Sequence, residues 1–230
     1  MCGRYVIPGT TELSERFQLR SIPFEWFPTW NAAPTQRLPV IVEDDDGARA
    51  ARLMQWGLLP RWKRDGKPGI APINARAETL LEKPMFRGLV PKRRCVVPIG
   101  GFYEWQAQDG RKQPYFITDA EADGIWGLAG LYDEQEGPDG EPLASYTVVT
   151  VAANPLLRPL HERMPAILRR DDEEEWLSRE VTDPVQVERL LRAYPEDQIR
   201  LWPVTTAVNS VRNNGPGLVR PAESQASLLG

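Results

Sequence analysis

RCVVPIGGFYEW, residues 94–105, places an apolar run, two adjacent glycines and an aromatic run one after another. Both runs are rich in the β-branched and aromatic residues that favour strands. Similar runs recur along the chain and are separated by turn sequences such as DDDG, QDGRK and EGPDGEP. The other runs are LPVIVE, ARLMQWGLL, QPYFITD, GIWGLAGLYD and SYTVVTVAA. Because short, hairpin-like connections join many of them, the sequence predicts an antiparallel, barrel-like β core.

Helical patterns are few and short. Residues 11–18, TELSERFQ, combine a capping residue with two turns of amphipathic pattern, and RDDEEEWLSRE and DPVQVERLLRAY predict two later helices before a last strand, IRLWPVT. The Pro- and Trp-rich stretch SIPFEWFPTWNAAPTQ is predicted to be an ordered loop. We therefore expect an α+β fold with a few flanking helices, one domain over residues 1–220, and a flexible tail over 221–230.

The composition is that of a globular protein, with 41% hydrophobic and 26% charged residues. No apolar run reaches the roughly 20 residues of a membrane helix, and the first residues lack a secretory pattern, so we expect a cytoplasmic protein. Cys2 and Cys95 could form a disulfide in principle, but this setting favours two reduced thiols. With His161 as the single histidine and no CxxC, no zinc-ligand spacing is present, and no metal is expected.

Charge is unevenly distributed along a chain whose net charge is −4. Residues 49–94 hold 12 Lys or Arg against 3 Asp or Glu, whereas residues 119–141 hold 8 acids and no Lys or Arg. The basic segment is compatible with a phosphate-binding surface, and equally with charge scattered over a solvated surface. Its cluster Lys92, Arg93 and Arg94 has the same two interpretations.

Cys2 is the first candidate for chemistry. Removal of Met1, expected because the second residue is small, would leave a free amine and a thiol on neighbouring carbons. Near neutral pH both groups are partly nucleophilic, because their ordinary pKa values are about 7.7–8.0 and 8.5. Such a terminus attacks an aldehyde to give an imine, which the sulfur closes to a thiazolidine. The alternative is a Cys2 that merely belongs to a frayed terminus.

Three polar side chains lie in apolar or turn segments. Glu104 in GGFYEW is a carboxylate among aromatic residues and a candidate general acid or base, and Asn74 in INARAE is placed to orient a nucleophile. His161 in LHERMP has Glu162 and Arg163 as neighbours that can set its tautomer. The alternatives are an exposed strand residue, a turn former and a structural histidine, respectively.

Seven motifs together resemble the SRAP family, once called SOS-response-associated peptidases and now regarded as abasic-site processing proteins. They are MCGRY, NAAP, WGLLP.W, INARAET, RRCVVPIGGFYEW, HERMP and AVNSVRNNGP, and they span roughly residues 2–220. The resemblance implies a self-modifying enzyme that binds single-stranded DNA containing an abasic site. It would join the ring-opened aldehyde to the N-terminal cysteine as a thiazolidine crosslink, shielding the lesion from strand cleavage. No cofactor is implied, and a monomer, nucleoid-associated when bound to damaged DNA, is expected.

The resemblance also assigns catalytic roles. Cys2 would be the nucleophile, and Asn74 would orient its thiol or amine. Glu104 would transfer protons during ring opening and imine formation. His161 would assist at the sugar oxygen and in reversal of the crosslink.

DNA contacts follow from the same motifs. Arg4 and Arg76 would bind phosphates, for which a guanidinium fork is well suited. Pro34 and Trp62 would pack against the bases beside the lesion. A related bacterial member has a second tryptophan after the position of Trp62, where this chain has lysine, which implies a weaker or more electrostatic wedge. Trp56 is expected in the core rather than on the DNA.

Three other functions remain open from the sequence. The chain could be a cysteine autopeptidase that removes its own N-terminal residue, with Glu104 or His161 as the base, and lyase activity could accompany the crosslinking reaction itself. It could be a non-catalytic module for single strands, in which Cys2 is incidental. An amidohydrolase of the N-terminal-nucleophile type is disfavoured by the strand order and the short chain.

Overall fold

A computed structural model of the chain describes residues 2–59, 71–108, 110–121, 124–136 and 140–222. Five of its strands pair edge to edge in a ring, each with the next and the last with the first. In chain order the ring strands are β3 (Arg37–Glu43), β4 (Arg49–Trp56), β6 (Arg94–Ile99), β9 (Trp126–Glu136) and β10 (Pro142–Ala152). Closure leaves these strands without a free edge, which makes the ring a barrel.

The ring order is β10, β4, β3, β6, β9 and back to β10. Four of the five pairings are antiparallel, which confirms the predicted antiparallel, barrel-like core. The fifth pairing, between β4 and β10, is parallel and matches Gln55 with Ser145. The barrel therefore differs from a simple meander, because its closing contact joins strands that are far apart in the sequence.

Three short strands extend the barrel. β10 continues past the ring and pairs in parallel with β5 (Asn74–Arg76) and antiparallel with β11 (Arg163–Pro165). β12 (Ile167–Leu168) pairs with β9. The end of β10 thus brings the INARAE and HERMP motifs to neighbouring positions.

A second, antiparallel sheet lies beside the barrel. Its order is β13, β8, β7, β1, β2. These strands are β1 (Tyr5–Ile7), β2 (Thr29–Ala32), β7 (Gly101–Gln108), β8 (Arg111–Asp119) and β13 (Ile199–Pro203). β2 lies inside the Pro- and Trp-rich stretch predicted to be an ordered loop, so that prediction was wrong for four residues. A strand can form within this Pro- and Trp-rich stretch because β2 is short and lies at the edge of its sheet.

The two glycines of the 94–105 stretch form the junction between barrel and sheet. β6 ends at Ile99 in the barrel and β7 begins at Gly101 in the second sheet. Gly101 has a φ of +153°, and a Cβ atom there would lie 2.4 Å from Cζ of Phe116 and 2.6 Å from the carbonyl oxygen of Ile117. Only glycine fits this close approach. The junction sends Glu104 into the second sheet, three residues later.

Helices flank the two sheets. Within the ranges given above they are α1 (Thr10–Phe17), α2 (Pro84–Arg87), α3 (Asp172–Leu177) and α4 (Pro184–Arg189), with 3₁₀ turns at 77–79, 196–198, 206–209 and 216–219. The three helices predicted from the sequence are confirmed, although α3 and α4 are shorter than their patterns and the predicted capping side chain of α1 is absent, because Gly9 is its N-cap. Asp183 caps the start of α4, where its carboxylate accepts a hydrogen bond from the Val185 backbone N–H. Among these residues no helix has the length and apolarity that a membrane crossing needs.

Candidate active site

Cys2 lies at the start of the segment that leads into β1, and it is fully buried. The Asn74 side chain, at the beginning of β5, donates a hydrogen bond from Nδ2 to the Cys2 carbonyl oxygen at 3.0 Å. The other amide atom, Asn74 Oδ1, is buried and accepts no hydrogen bond from the residues that the structure describes. The contact joins the second sheet, which contains β1, to the strand that extends the barrel.

Glu104 is brought to the same place by β7. β7 pairs with β1, and the Tyr103 backbone N–H donates to the Arg4 carbonyl oxygen at 3.0 Å. The Glu104 side chain is only 8% exposed. Burial raises the pKa of the Cys2 thiol, and the negative charge of Glu104 raises this pKa further. Cys2 and Glu104 are therefore close enough to interact electrostatically.

His161 lies just before β11, at the far end of β10. The Arg163 backbone N–H donates to His161 Nδ1 at 2.9 Å. In the neutral ring the proton therefore lies on Nε2, which is left as a hydrogen-bond donor. β10 pairs Val148 with Asn74 and Ala152 with Arg163, so the HERMP motif meets β10 four residues beyond the Asn74 pairing. The described contacts do not join His161 directly to Cys2.

Two ion pairs link the INARAE and HERMP motifs. Arg163 donates to both carboxylate oxygens of Glu78 at 2.6 and 2.8 Å, and its side chain is largely buried. Arg76 and Glu162 approach to 4.0 Å with side chains that are 60% and 77% exposed. The second pair is loose, and the Arg76 guanidinium remains open to solvent. The sequence identified Arg163 only as a neighbour of His161. In the structure, its ion pair with Glu78 also holds the INARAE and HERMP motifs together.

Arg4 has a different environment from Arg76. Its Nη1 donates to Asn31 Oδ1 and to the Val208 carbonyl oxygen, both at 2.9 Å. Partial burial lowers the pKa of Arg4 below its ordinary value. Arg4 therefore has fewer free donors than an exposed arginine, and its role as a phosphate contact stays a prediction.

Asn31 is a site residue that sequence reasoning did not single out. Its side chain is buried and its Nδ2 donates to three backbone carbonyls of one loop, those of Val208, Ser210 and Asn213. Each donor–acceptor distance lies between 2.9 and 3.2 Å. The signal in the sequence was the NAAP motif, a polar residue followed by two small apolar ones. A single buried asparagine thus fixes the AVNSVRNN segment beside the site.

Two of the predicted aromatic and proline positions are described. Pro34 is partly exposed in the turn between β2 and β3, where the Thr35 N–H donates to the Trp56 carbonyl oxygen at 2.9 Å. Trp56 is fully buried, its ring lies 4.7 Å from that of Tyr5, and its Nε1 donates to Ile73. This confirms the prediction that Trp56 belongs to the core. Trp62 lies outside the described residues.

The cluster at residues 92–94 does not form one exposed basic patch. Arg94 is buried and donates to three backbone carbonyls, among them that of Val90. Arg93 forms an ion pair with Glu134. Of the two interpretations of this cluster, a shared phosphate contact is disfavoured, because only Lys92 is exposed and unpaired among the residues described.

Neither a disulfide nor a metal centre is found in the described part of the chain. Cys2 and Cys95 are both free and buried, as predicted for reduced thiols. Within the same residues no group of three or more His, Cys, Asp or Glu side chains is placed to hold a metal ion.

Known proteins are similar to this chain in both sequence and fold. The family model described as SOS response associated peptidase (SRAP) matches residues 1–211. "Abasic site processing protein YoqW" of Bacillus subtilis is 37% identical over 222 residues, which cover 95% of this chain and 99% of that protein. "Abasic site processing protein HMCES" of Gallus gallus is 36% identical over 226 residues, covering 85% and 67% respectively.

Solved structures agree with the sequence match. A crystal structure of a protein from Bacteroides thetaiotaomicron has a TM-score of 0.85 at 26% identity, covering 96% of this chain and all of that one. Its fold is therefore the same α+β fold. Because the family model spans residues 1–211 of the 230, the chain belongs to the SRAP family.

Proposed function

We propose that this protein captures abasic sites in single-stranded DNA by forming a covalent crosslink through Cys2, which shields the lesion from strand cleavage. The observation that carries the proposal is the 3.0 Å hydrogen bond from Asn74 Nδ2 to the Cys2 carbonyl, beside the open Oδ1 of the same amide. Relatives in Bacillus subtilis and Gallus gallus that bear the name abasic site processing protein support the choice of lesion.

The first nucleophile is the α-amine of Cys2, which exists once Met1 has been removed. Burial and the nearby carboxylate of Glu104 raise the pKa of the Cys2 thiol, so the sulfur is protonated at neutral pH. An α-amine ordinarily titrates near 7.7–8.0, and a usable fraction is unprotonated at the same pH. The amine therefore attacks before the sulfur.

The reaction balances without an oxidant or a cofactor. The amine adds to the aldehyde carbon of the ring-opened sugar, a C–N bond forms, and loss of one water gives an imine. The Cys2 sulfur then adds to the same carbon, a C–S bond forms, and the thiol proton ends on nitrogen. The product is a five-membered thiazolidine that replaces the reactive aldehyde.

Each neighbouring side chain has a role in these steps. Asn74 Oδ1 accepts a hydrogen bond from the amine and aims its lone pair, because it has no other described donor to satisfy it. Glu104 takes the thiol proton as sulfur attacks and returns it to the nitrogen of the thiazolidine. His161, with Nδ1 already occupied by the Arg163 N–H, donates from Nε2 to the sugar oxygen.

The DNA contacts in this proposal lie around Cys2. Arg76 binds a backbone phosphate, because its guanidinium is well exposed and its pair with Glu162 is loose. Pro34 and Trp62 pack against bases next to the lesion, and Arg4 adds positive charge beside the nucleophile.

The test uses purified protein whose N-terminus has been identified by mass spectrometry. It is mixed with a single-stranded oligonucleotide that contains one abasic site, and the products are separated on a denaturing gel. We expect an adduct that resists denaturation. Inserting a glycine before Cys2 keeps the thiol but moves the amine to another residue, and this variant should form no thiazolidine adduct.

Cys2→Ser is the matched control, because it keeps the amine and loses the sulfur. It should form only a reversible imine, visible after trapping with borohydride. A stable adduct in the glycine-insertion variant would contradict attack by the amine. Release of Met1 in a thiol-dependent reaction without any adduct would favour the autopeptidase, and salt-sensitive binding without adduct or cleavage would favour the binding module.

A further inference from the structure

Residues 207–214, named here the rim loop, lie beside the candidate active site. Arg4, two residues after Cys2, donates from Nη1 to the Val208 carbonyl oxygen at 2.9 Å and from Nη2 to that of Asn209 at 3.4 Å. The strand that carries the nucleophile is thereby tied to the rim loop.

The rim loop is also tied to the strand that carries Glu104. Trp105, the next residue along β7, donates from Nε1 to Asn209 Oδ1 at 2.7 Å. Asn209 therefore contacts neighbours of both Cys2 and Glu104. These two contacts tie the rim loop to the segment that carries Cys2 and to the strand that carries Glu104.

Further hydrogen bonds hold the rim loop in one conformation. Asn31 donates to three of its carbonyls, and the Trp30 backbone N–H donates to Asn214 Oδ1 at 2.8 Å. Within the loop, Asn213 Nδ2 donates to the Ala207 carbonyl oxygen at 2.8 Å. A loop ordered in advance loses little conformational entropy when it binds a ligand.

The exposed tip of the rim loop is basic. Arg212 is exposed, and no hydrogen bond or ion pair joins its guanidinium to another residue in the described ranges. Residues 199–222 contain three arginines and no Asp or Glu, in a chain whose net charge is −4. Val211, next to it, is 50% exposed and offers an apolar surface. This combination suits the backbone and bases of a nucleic acid strand.

We infer that the rim loop is a second phosphate-binding element of the site, in which Arg212 binds a backbone phosphate of the single strand. The inference rests on the proposed function, because it takes single-stranded DNA as the ligand. Arg76 is on β5 beside the barrel, whereas the rim loop is held by the second sheet. The strand would then cross Cys2 with one arginine on each flank.

Reach supports this placement. Arg212 follows Asn209 by three residues, which span at most about 11 Å even when extended. Asn209 is itself in contact with Arg4 and Trp105. The Arg212 backbone thus lies within about 11 Å of a residue that contacts the segment after Cys2 and the strand of Glu104.

The experiment separates binding from chemistry. Affinity is measured for a fluorescent single-stranded oligonucleotide without an abasic site, at several salt concentrations, because this DNA cannot be crosslinked. We expect Arg212→Ala to weaken binding about 3- to 10-fold at low salt and to reduce the slope of log affinity against log salt by about 0.7, the value for one phosphate contact on a single strand. Arg212→Lys should retain most of the slope.

Arg20→Ala is the matched control. It removes the same charge from a side chain that is 54% exposed. The Arg20 backbone N–H donates to the carbonyl oxygen of Arg49, the first residue of β4. At 3.3 Å per residue, this end of β4 lies about 23 Å from its last residue, Trp56, which packs against Tyr5. The affinity and salt slope of Arg20→Ala should match those of the parent protein.

The outcomes distinguish this inference from the proposed function. If Arg212→Ala binds undamaged DNA like the parent and Arg20→Ala, the rim-loop assignment is wrong, even if the parent crosslinks abasic DNA. If Arg212→Ala loses affinity and slope while the parent forms no adduct, the assignment stands and the crosslinking proposal fails.

Discussion

Asn74 is a polar residue whose side chain is only half satisfied. Its amide nitrogen donates to Cys2, whereas its buried oxygen accepts nothing among the residues described. Leaving a buried acceptor unpaired costs about 1–3 kcal/mol. Such a cost is understandable at a position where a further donor, the α-amine of processed Cys2, arrives only after Met1 has been removed.

Replacing Asn74 tests this interpretation. Asn74→Ala should slow adduct formation at saturating abasic DNA by about 5- to 150-fold, the equivalent of 1–3 kcal/mol for a lost hydrogen bond and a stranded Cys2 carbonyl. Binding of undamaged single-stranded DNA should change less than twofold. The measurement is a single-turnover time course on denaturing gels. Equal losses in rate and affinity would place Asn74 in DNA binding and not in orienting the nucleophile.

Individual site residues were predictable only where a motif marked them. Cys2, Asn74 and Glu104 could be identified because each is an unusual polar residue in a short motif. The structure places the three close together. Asn31 and Asn209 were not identified, since their partners, Asn213 and Trp105 respectively, lie more than 100 residues away in the sequence. Contacts of that separation leave no local pattern in the chain.

Gly100 and Gly101 form a pair of adjacent glycines with different requirements. A Cβ at Gly100 would meet its nearest neighbour, Val6 Cγ1, at 3.7 Å, an ordinary contact. A Cβ at Gly101 would clash with Phe116 at 2.4 Å in a left-handed backbone region. Gly101→Ala should therefore lower the free energy of unfolding by about 2–5 kcal/mol, combining backbone strain and overpacking.

Gly100→Ala is the internal control for that substitution and should change stability by less than about 1 kcal/mol. Urea unfolding followed by tryptophan fluorescence measures both. Similar midpoints for the two variants would mean that the junction between β6 and β7 tolerates a side chain and that the passage from barrel to sheet is not tight.

The ion pair between Arg76 of β5 and Glu162 of the HERMP motif predicts a substitution that strengthens DNA binding. Glu162 lies 4.0 Å from Arg76, and both are exposed, so their mutual attraction is weak. A phosphate at Arg76 would have to tolerate the Glu162 carboxylate. Glu162→Gln should therefore tighten binding of single-stranded DNA about 2- to 5-fold at low salt, and the gain should fall as salt rises.

Glu180→Gln provides the comparison, because it makes the same charge change at an exposed residue beside Arg179, which contacts the β3–β4 hairpin. It should leave the affinity unchanged. Fluorescence anisotropy at two salt concentrations is sufficient. If Glu162→Gln binds DNA more weakly than the parent, Glu162 supports Arg76 in its binding position instead of competing with the phosphate.

Elements with strong local patterns were predicted well, and those defined by distant pairing were not. The first ring strands follow from alternation, α1 from helical spacing, and α4 from helical spacing and its capping residue Asp183. β5, β11 and β12 have two or three residues each, too few for a periodic pattern. The parallel contact of β4 with β10 joins residues about 90 apart, so hairpin reasoning could not find it.

At the scale of the whole molecule, the two sheets enclose several ionisable groups in their neutral forms. Burial is the first cause that raises the pKa of the Cys95 thiol and of the phenols of Tyr5, Tyr103 and Tyr146. In the unfolded chain these groups ionise near their ordinary values, about 8.5 for the thiol and 10 for a phenol. Above these values the unfolded state binds fewer protons than the folded state, so the free energy of unfolding falls as pH rises.

Cys95 isolates one part of this dependence. It lies in the barrel core, and its folded pKa is raised, so its contribution is fully present below about pH 8.5 and is lost as pH rises beyond that value. Between pH 9 and 10 the thiol should make the free energy of unfolding fall by up to about 1.4 kcal/mol per pH unit. Cys95→Ala should be less stable than the parent at pH 7 because of the lost packing, yet show a shallower decline by that amount. Urea unfolding at pH 7, 8, 9 and 10 measures the slope, and parallel curves for parent and variant would show that the Cys95 thiol ionises as readily in the barrel as in the unfolded chain.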